Sequence, residues 1–181
     1  MVLTLETQRL VMTEAAEADV DSLLAVALSN PTFTGDHEGS DGQPGRFDRD
    51  MLGRDLAVAW MDPARHPLVL RTKSEPGRVI GWAAVLDEHP RDRVPWIGLL
   101  EVHQQEQRRG YGREAVAALV GWARGGGAAS LRLDVDQGNV AGLAFWKSMG
   151  FRVVDQRERV GPAGRIGVTV MELHLDLDGG E

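Results

Sequence analysis

The sequence predicts a single α/β domain of the α+β kind, a mixed sheet with helices packed against it. Short segments of strand-like composition recur along the chain, and about four stretches with apolar residues at helical spacing are set between them. No internal repeat and no linker divides the whole. At 181 residues with 43% apolar composition, the chain is long enough for one well-buried core and short for two.

Thr4 to Thr13 suits a first strand. Val20, Leu23, Leu24, Ala27 and Leu28 then recur at helical spacing, and Glu14, Glu17 and Asp19 stand where acids favour a helix start. From Asn30 to Asp48 the chain is rich in Gly, Asp and Pro, with Phe33 and Phe47 as its large apolar anchors, a surface-loop composition that either covers a site or has no role. Asp48 to Met61 fits a helix with Met51, Leu52, Leu56, Ala59 and Trp60 on one side, ended by Pro63. His66 to Thr72 and Arg78 to Asp87 read as strands around the turn Ser74-Glu75-Pro76-Gly77.

Pro95 to Val102, apolar apart from Glu101, is expected as a central strand. Gly112 to Arg124 follows as a helix with Ala115, Val116, Leu119, Val120 and Ala123 on one face, stopped by Gly125-Gly126-Gly127. Ser130 to Val135 alternates as a strand, and Val140 to Met149 is helical up to Gly150. Two last strands fit Arg152 to Val160 and Ile166 to Leu175, around Gly161-Pro162-Ala163-Gly164.

The absence of cysteine removes disulfides, thiolate metal sites and any thioester route through the protein. A net charge of -7 argues against nucleic-acid binding, which relies on clustered Lys and Arg. His37, His66, His89, His103 and His174 show no paired metal-ligand spacing, so no metal is expected. Met1 to Met12 lacks a signal core and no run reaches the roughly 20 apolar residues of a membrane span, which leads to the expectation of a soluble, cytoplasmic protein with no membrane partner. Trp60, Trp82, Trp96, Trp122 and Trp146 are expected as core or pocket walls.

The segment Gln107 to Gly112 carries the strongest chemical signal. Arg108 and Arg109 stand just ahead of a helix whose first turn offers unpaired N–H groups. Gly110 and Gly112 lack a Cβ, so ligand oxygens can approach the backbone, and the helix end adds a partial charge of about +0.5. A pyrophosphate would satisfy these donors, with Arg108, Arg109 and Arg113 pairing its charge. The stretch Gly110-Tyr111-Gly112-Arg113-Glu114-Ala115 also fits the glycine pattern of NAD-type dinucleotide-binding folds, with Asp134 as the downstream acid. In that fold, however, the first glycine follows the strand almost at once, whereas His103 to Arg109 here separate Val102 from Gly110.

The run Val102-His103-Gln104-Gln105-Glu106-Gln107-Arg108-Arg109-Gly110-Tyr111-Gly112 resembles the strand, loop and helix signature of the GNAT superfamily of N-acetyltransferases. Leu133-Asp134-Val135, Asn139 and Phe145-Trp146-Lys147-Ser148-Met149-Gly150-Phe151 look like the family's later strand, helix and Gly-Phe ending, and Val79-Ile80-Gly81 is a weaker third match. The resemblance runs from about Leu3 to Leu175 and implies a GNAT-like, mostly antiparallel central sheet of about six to seven strands flanked by about four helices. It further implies acetyl-CoA as cosubstrate and an amine as acceptor. Leu100, Glu101 and Val102 would pair with the pantetheine arm through backbone groups, one of which would serve as oxyanion donor. Arg108, Arg109, Gly110, Tyr111, Gly112 and Arg113 would hold the pyrophosphate. Asn139 would bond the pantetheine or the adjacent backbone, or cap the following helix.

Two carboxylates are candidate bases. Asp134 occupies the position where some protein-acetylating members of the family carry one, and Glu101 is a lone acid in an apolar strand, where desolvation raises a carboxyl pKa. Trp146 stands where many members have a tyrosine that protonates the departing thiolate, and an indole cannot act as that acid. It is retained as a residue of the cofactor pocket. Tyr111, the one tyrosine, suits anchoring or packing, so that either water supplies the proton or the chain is a weak or inactive acetyl-CoA-binding sensor. The acceptor pocket is expected among the Asn30 to Asp48 loop, the Glu88 to Arg93 turn and the hairpin around Gly161 to Arg165, with exposed sheet edges allowing a homodimer.

Overall fold

The computed structural model describes residues 3–30, 47–161 and 164–175. Its elements run β1 (Thr4–Glu6), β2 (Leu10–Glu14), α1 (Val20–Ser29), α2 (Arg49–Met61), β3 (Arg65–Thr72), β4 (Val79–Leu86), β5 (Trp96–Val102), α3 (Tyr111–Gly125), β6 (Ser130–Asp136), α4 (Val140–Ser148), β7 (Arg152–Gly161) and β8 (Gly164–His174). The strands form one sheet in the order β1-β2-β3-β4-β5-β6-β8-β7. Neighbouring strands are antiparallel except β5 and β6, which are parallel and joined through α3. No helix among the described residues is long and apolar enough to cross a membrane.

The architecture is the mixed, mostly antiparallel α/β sheet that was expected, with one more strand. The stretch from Thr4 to Thr13 is not one strand but a hairpin, because Thr7 turns the chain. Its N–H donates to the Leu10 carbonyl at 2.9 Å, and its hydroxyl accepts from the Leu10 N–H at 2.8 Å. α3 opens at Tyr111, one residue before the expected Gly112, since Gly110 adopts a left-handed φ of 87° and stands as the cap. α2 follows Asp48, whose carboxylate accepts from the Met51 N–H at 2.9 Å, as an N-cap should.

The sheet buries an apolar surface on each side. Leu10, Leu70, Ile80, Ile97, Leu131, Leu133 and Met171 meet Val116 and Leu119 of α3 and Trp146 of α4 on one face. Val69 and Trp82 meet Leu23 and Val26 of α1 and Leu52 and Leu56 of α2 on the other. At the centre, Ala84 pairs with Leu99 while Val85 pairs with Ile97, leaving Gly98 as an extra residue in β5. Such a bulge bends its strand. β5 is registered with β6 only at Trp96 to Arg132 and Ile97 to Leu133, and beyond Ile97 the two strands part.

A charge cluster ties the β4–β5 turn to the far strands. Asp92, with a side chain only 3% exposed, accepts two bonds from Arg157 of β7 at 2.7 Å and one from Arg132 of β6 at 2.9 Å. Arg132 also bonds Glu172 of β8. The Arg157 guanidinium, helped by Arg132 and His89, holds the Asp92 carboxyl at about pH 2 against its burial. Because the folded value lies below the ordinary one of about 3.9, this stabilisation is complete above pH 4 and is lost as pH falls through 2. We expect Asp92→Asn to lower stability at neutral pH by about 2–4 kcal/mol, the cost of leaving two half-buried arginines underpaired. In thermal unfolding followed against pH, the gap between variant and parent should close between pH 4 and pH 2.

Candidate active site

The site grows from the carboxyl end of β5. A single 3-10 turn, Gln104–Glu106, follows the strand, and its Glu106 is buried between Arg109, at 2.9 Å, and Arg78 of the β3–β4 turn. This pins the loop from beneath. Arg108 at φ 63° and Gly110 at φ 87° then swing the backbone into α3. The first helical bond runs from the Glu114 N–H to the Gly110 carbonyl, so the amides of Tyr111, Gly112 and Arg113 come before the ladder and lack helical partners. A valine or larger residue at 110 would be strained, and its Cβ would lie 3.2 Å from Arg9.

The three loop arginines fall into different settings. Arg109 is held by Glu106, Arg113 donates to the Ser148 hydroxyl at 2.9 Å, and Arg108 has no side-chain partner among the described residues. A fourth, Arg9, reaches in from the β1–β2 turn. Its guanidinium bonds Glu114 at 2.7 Å and the Arg109 carbonyl at 3.1 Å, and lies 4.5 Å over the Tyr111 ring. Tyr111 thus packs under Arg9 at the helix start.

The parting of β5 from β6 exposes backbone. The His103 N–H bonds the Ile80 carbonyl of β4, so by strand alternation Glu101 turns its backbone to β4 while Leu100 and Val102 turn theirs towards the gap. The Val102 carbonyl is already taken by Asn30 Nδ2 at 3.2 Å and Gln107 Nε2 at 3.0 Å. The Leu100 and Val102 N–H groups and the Leu100 carbonyl have no β6 residue registered against them.

The side chain of Glu101 projects onto the α1 and α2 face. One carboxylate oxygen accepts from Asn30 Nδ2 at 2.8 Å and the other from Trp82 Nε1 at 2.9 Å. Burial raises the Glu101 pKa above the ordinary carboxylate value, and the bonds from Trp82 and Asn30 only partly offset it. Asn30 itself is 5% exposed, and its oxygen accepts from Gln107 Nε2 at 2.6 Å. One amide thus links the carboxylate to the loop ahead of α3.

Asp134 lies on β6 between Leu133 and Val135, both in the α3 and α4 core, so its side chain turns to the same face as Glu101. Its nearest cation is Arg159, at 3.6 Å. Asn139 caps α4, with Oδ1 accepting from the Gly142 N–H at 2.8 Å. Trp146 is 8% exposed and packs edge-on to Phe145 and Phe151. The Asn30 to Asp48 loop, beyond its end residues, and Pro162 and Ala163 of the last hairpin lie outside the described residues.

Comparison with known proteins bears on this geometry directly. Residues 27–151 match the Acetyltransferase (GNAT) family, a stretch that includes β5, the loop, α3, β6 and α4. The chain belongs to that family. It is an N-acetyltransferase of the GNAT superfamily, as the loop and strand motifs implied. Among curated GNAT relatives, the L-amino acid N-acyltransferase MnaT of Escherichia coli is 31% identical over 129 residues, 67% of this chain and 74% of the relative. An L-methionine sulfoximine/L-methionine sulfone acetyltransferase of Pseudomonas aeruginosa is 29% identical over 127 residues, 65% of this chain and 72% of the relative.

Among solved structures, an acetyltransferase of Thermus thermophilus superposes with a TM-score of 0.69 at 23% identity, covering 94% of this chain and all of that one. The acetyltransferase yncA of Salmonella typhimurium, solved with its cofactor acetyl-CoA, gives 0.63 at 23% identity, covering 94% and 96%. These similarities establish the GNAT fold across nearly the whole chain. They also set aside the dinucleotide-binding alternative, which needs a doubly wound parallel sheet where this one is mostly antiparallel.

Sequence reading did not assign Asn30 or Arg9 to the site, and it did not pair Trp82 with Glu101 or Gln107 with Asn30. Asn30 is 71 positions from Glu101, and no local pattern announces such a pairing. Replacing Asn30 with leucine removes a donor that favours the ionised form of Glu101 and leaves Gln107 Nε2 with only the Val102 carbonyl as acceptor. We expect Asn30→Leu to cost about 1–3 kcal/mol of stability and to move the Glu101 titration further upward, read from the pH dependence of its carboxyl ¹³C resonance.

Proposed function

We propose that this GNAT protein transfers an acetyl group from acetyl-CoA directly to the primary amine of a small molecule or peptide, with Glu101 as the base. The observation that carries the proposal is the gap between β5 and β6, which ends at the open amides of α3 and has a half-buried, elevated carboxylate on its rim. The residues present fit the cosubstrate. The N–H groups of Tyr111, Gly112 and Arg113 and the side chain of Arg108, which has no partner among the described residues, suit a pyrophosphate, with Arg109 and Arg113 adding charge around it. Leu100 and Val102 offer the gap backbone groups that suit the amides of a pantetheine arm. Asn139 and Trp146 sit on α4 beyond it, where Asn139 orients the helix start and Trp146 supports the wall from within the core.

Acetyl-CoA supplies, when bound, a thioester carbonyl open to attack by an amine. The rest is asked of the chain. An amine attacks only when neutral, so a group must accept its proton, and Glu101 has both the location and the raised affinity for one. An N–H of Leu100 or Val102, fixed by the strand, is placed to donate to the carbonyl oxygen as it gains charge. Tyr111 lies under Arg9 and Trp146 is in the core, so the proton for the departing sulfur comes from solvent. A thiol pKa of about 8.5 makes that step tolerable. The amine acceptors named for the curated relatives, amino acids among them, make small amino compounds the first to try.

Two measurements test this. Gly110→Val should weaken acetyl-CoA binding by about 1–3 kcal/mol in calorimetry while the circular dichroism spectrum is retained, because a β-branched residue resists the left-handed cap. Unchanged affinity would move the pyrophosphate elsewhere. For proton transfer, Glu101→Gln should lower the rate about 10²- to 10⁴-fold. The parent should lose activity as pH falls through a value above the ordinary carboxylate range, and Asp134→Asn should keep that acid limb. If Asp134→Asn abolishes the limb and Glu101→Gln retains it, the base is Asp134.

A further inference from the structure

The face of the sheet that carries Glu101 also carries an open cavity of about 270 Å³. Leu56 and Ala59 of α2, Pro67 of β3, Trp82 and Ala84 of β4 and Leu99 of β5 wall it. It adjoins the proposed reaction centre in two ways. Trp82, one of its walls, donates its indole N–H to Glu101. Leu99 stands two residues before Glu101 on the same strand and the same face, so the cavity begins about 7 Å from that carboxylate along β5.

The chemistry of the walls limits what can enter. They are hydrocarbon and indole, with charges confined to polar residues around them. Asp55 and Arg65 oppose one another in sign, and Arg65 is partly used by Asp62 at 3.0 Å. The ring nitrogens of His66 are both engaged, by Glu14 and Asp87 at 3.0 Å each. A substituent with a net charge meets charges of both signs, Asp55 and Arg65, at the lining and gives up its hydration against hydrocarbon, whereas an apolar one gains by leaving water. The volume is below the roughly 300–1,000 Å³ of pockets that enclose drug-sized ligands. It has room for one side group and not for an extended chain.

We propose that this cavity receives the side group of the acceptor, and that the preferred acceptor is a primary amine bearing a neutral apolar group of branched-aliphatic to phenyl size. This rests on Glu101 as the group facing the amine. A free amino compound and the first residue of a peptide present the same chemistry, and the experiment separates them.

Acetyl transfer, followed as thiol release, is measured with L-alanine, L-leucine, L-phenylalanine and the tripeptides Ala-Gly-Gly and Phe-Gly-Gly. The parent should favour L-leucine or L-phenylalanine over L-alanine by about 10-fold or more in kcat/KM, the size of effect that extra methylenes produce in an apolar pocket. Ala84→Phe, which fills the cavity, should bring that ratio close to one without changing acetyl-CoA affinity. Leu99→Ala, which enlarges it, should raise the ratio of L-tryptophan to L-phenylalanine. Preference shown by the free amino acids, by the tripeptides or by both supports the cavity and identifies the source of the amine.

A readout without turnover comes from the Trp82 indole N–H resonance, assigned through Trp82→Phe. It should shift when L-phenylalanine is added to the parent and stay still in Ala84→Phe. Equal kcat/KM for the alanine and phenylalanine members of both the free amino acids and the tripeptides in the parent would overturn the proposal, as would a preference that survives Ala84→Phe. A full-rate Glu101→Gln with the Trp82 shift intact would instead remove the base and leave the cavity standing.

Discussion

The parting of β5 from β6 beyond Ile97 is the constraint on which the site depends. Two parallel strands joined through a helix would ordinarily stay paired along their length, burying backbone donors and acceptors in one another. Gly98 prevents this by adding a residue to β5 opposite the Ala84 to Val85 step, so that the strand bends while remaining bonded to β4. The groups of Leu100 and Val102 that lose β6 as a partner must be satisfied by something else. Asn30 and Gln107 satisfy the Val102 carbonyl, and a bound pantetheine arm would suit the rest.

The same bend accounts for the electrostatics. Glu101 lies in a strand whose other residues are apolar, and its carboxylate is folded inward beneath α1 against Trp82. An acid in that position would ordinarily be eliminated by its desolvation cost. Two neutral donors, one from each side, keep it hydrogen-bonded without cancelling the effect of burial, so it retains an affinity for protons that a surface glutamate lacks. A counter-ion in place of Asn30 would have stabilised the charge and pulled the pKa down. By contrast Asp92, surrounded by arginines, is locked as an anion, which suits a structural tie between distant strands.

Much of this was legible in the sequence wherever the signal is local. The β5 run, the loop from Gln107 to Gly112 and the apolar face of α3 each announce themselves within a few residues, and the order of elements follows from turns rich in Gly and Pro. The hairpin of β1 and β2 escaped because Thr7, Gln8 and Arg9 include none of the usual turn residues and alternation continues through them. The Glu101 environment escaped for another reason. Its partners come from the end of α1 and from β4, and only the tertiary fold brings Asn30 and Trp82 to one carboxylate and Gln107 to that asparagine. The settings of the arginines were unreadable likewise, since composition cannot say that Arg109 is claimed by Glu106 while Arg108 is not.

The order of the last three strands has a consequence for how the protein comes into being. β8 lies inside, between β6 and β7, so the outer flank of β6 is closed by a strand that the ribosome makes well after it. Until then the strand pairing of β6 is limited to its two-residue register with β5. The crevice at the heart of the enzyme is thus shaped by residues near the end of the described chain. A nascent protein stalled before β8 would expose the edge of β6, and vectorial synthesis leaves completion of the sheet to a strand made after both α4 and β7.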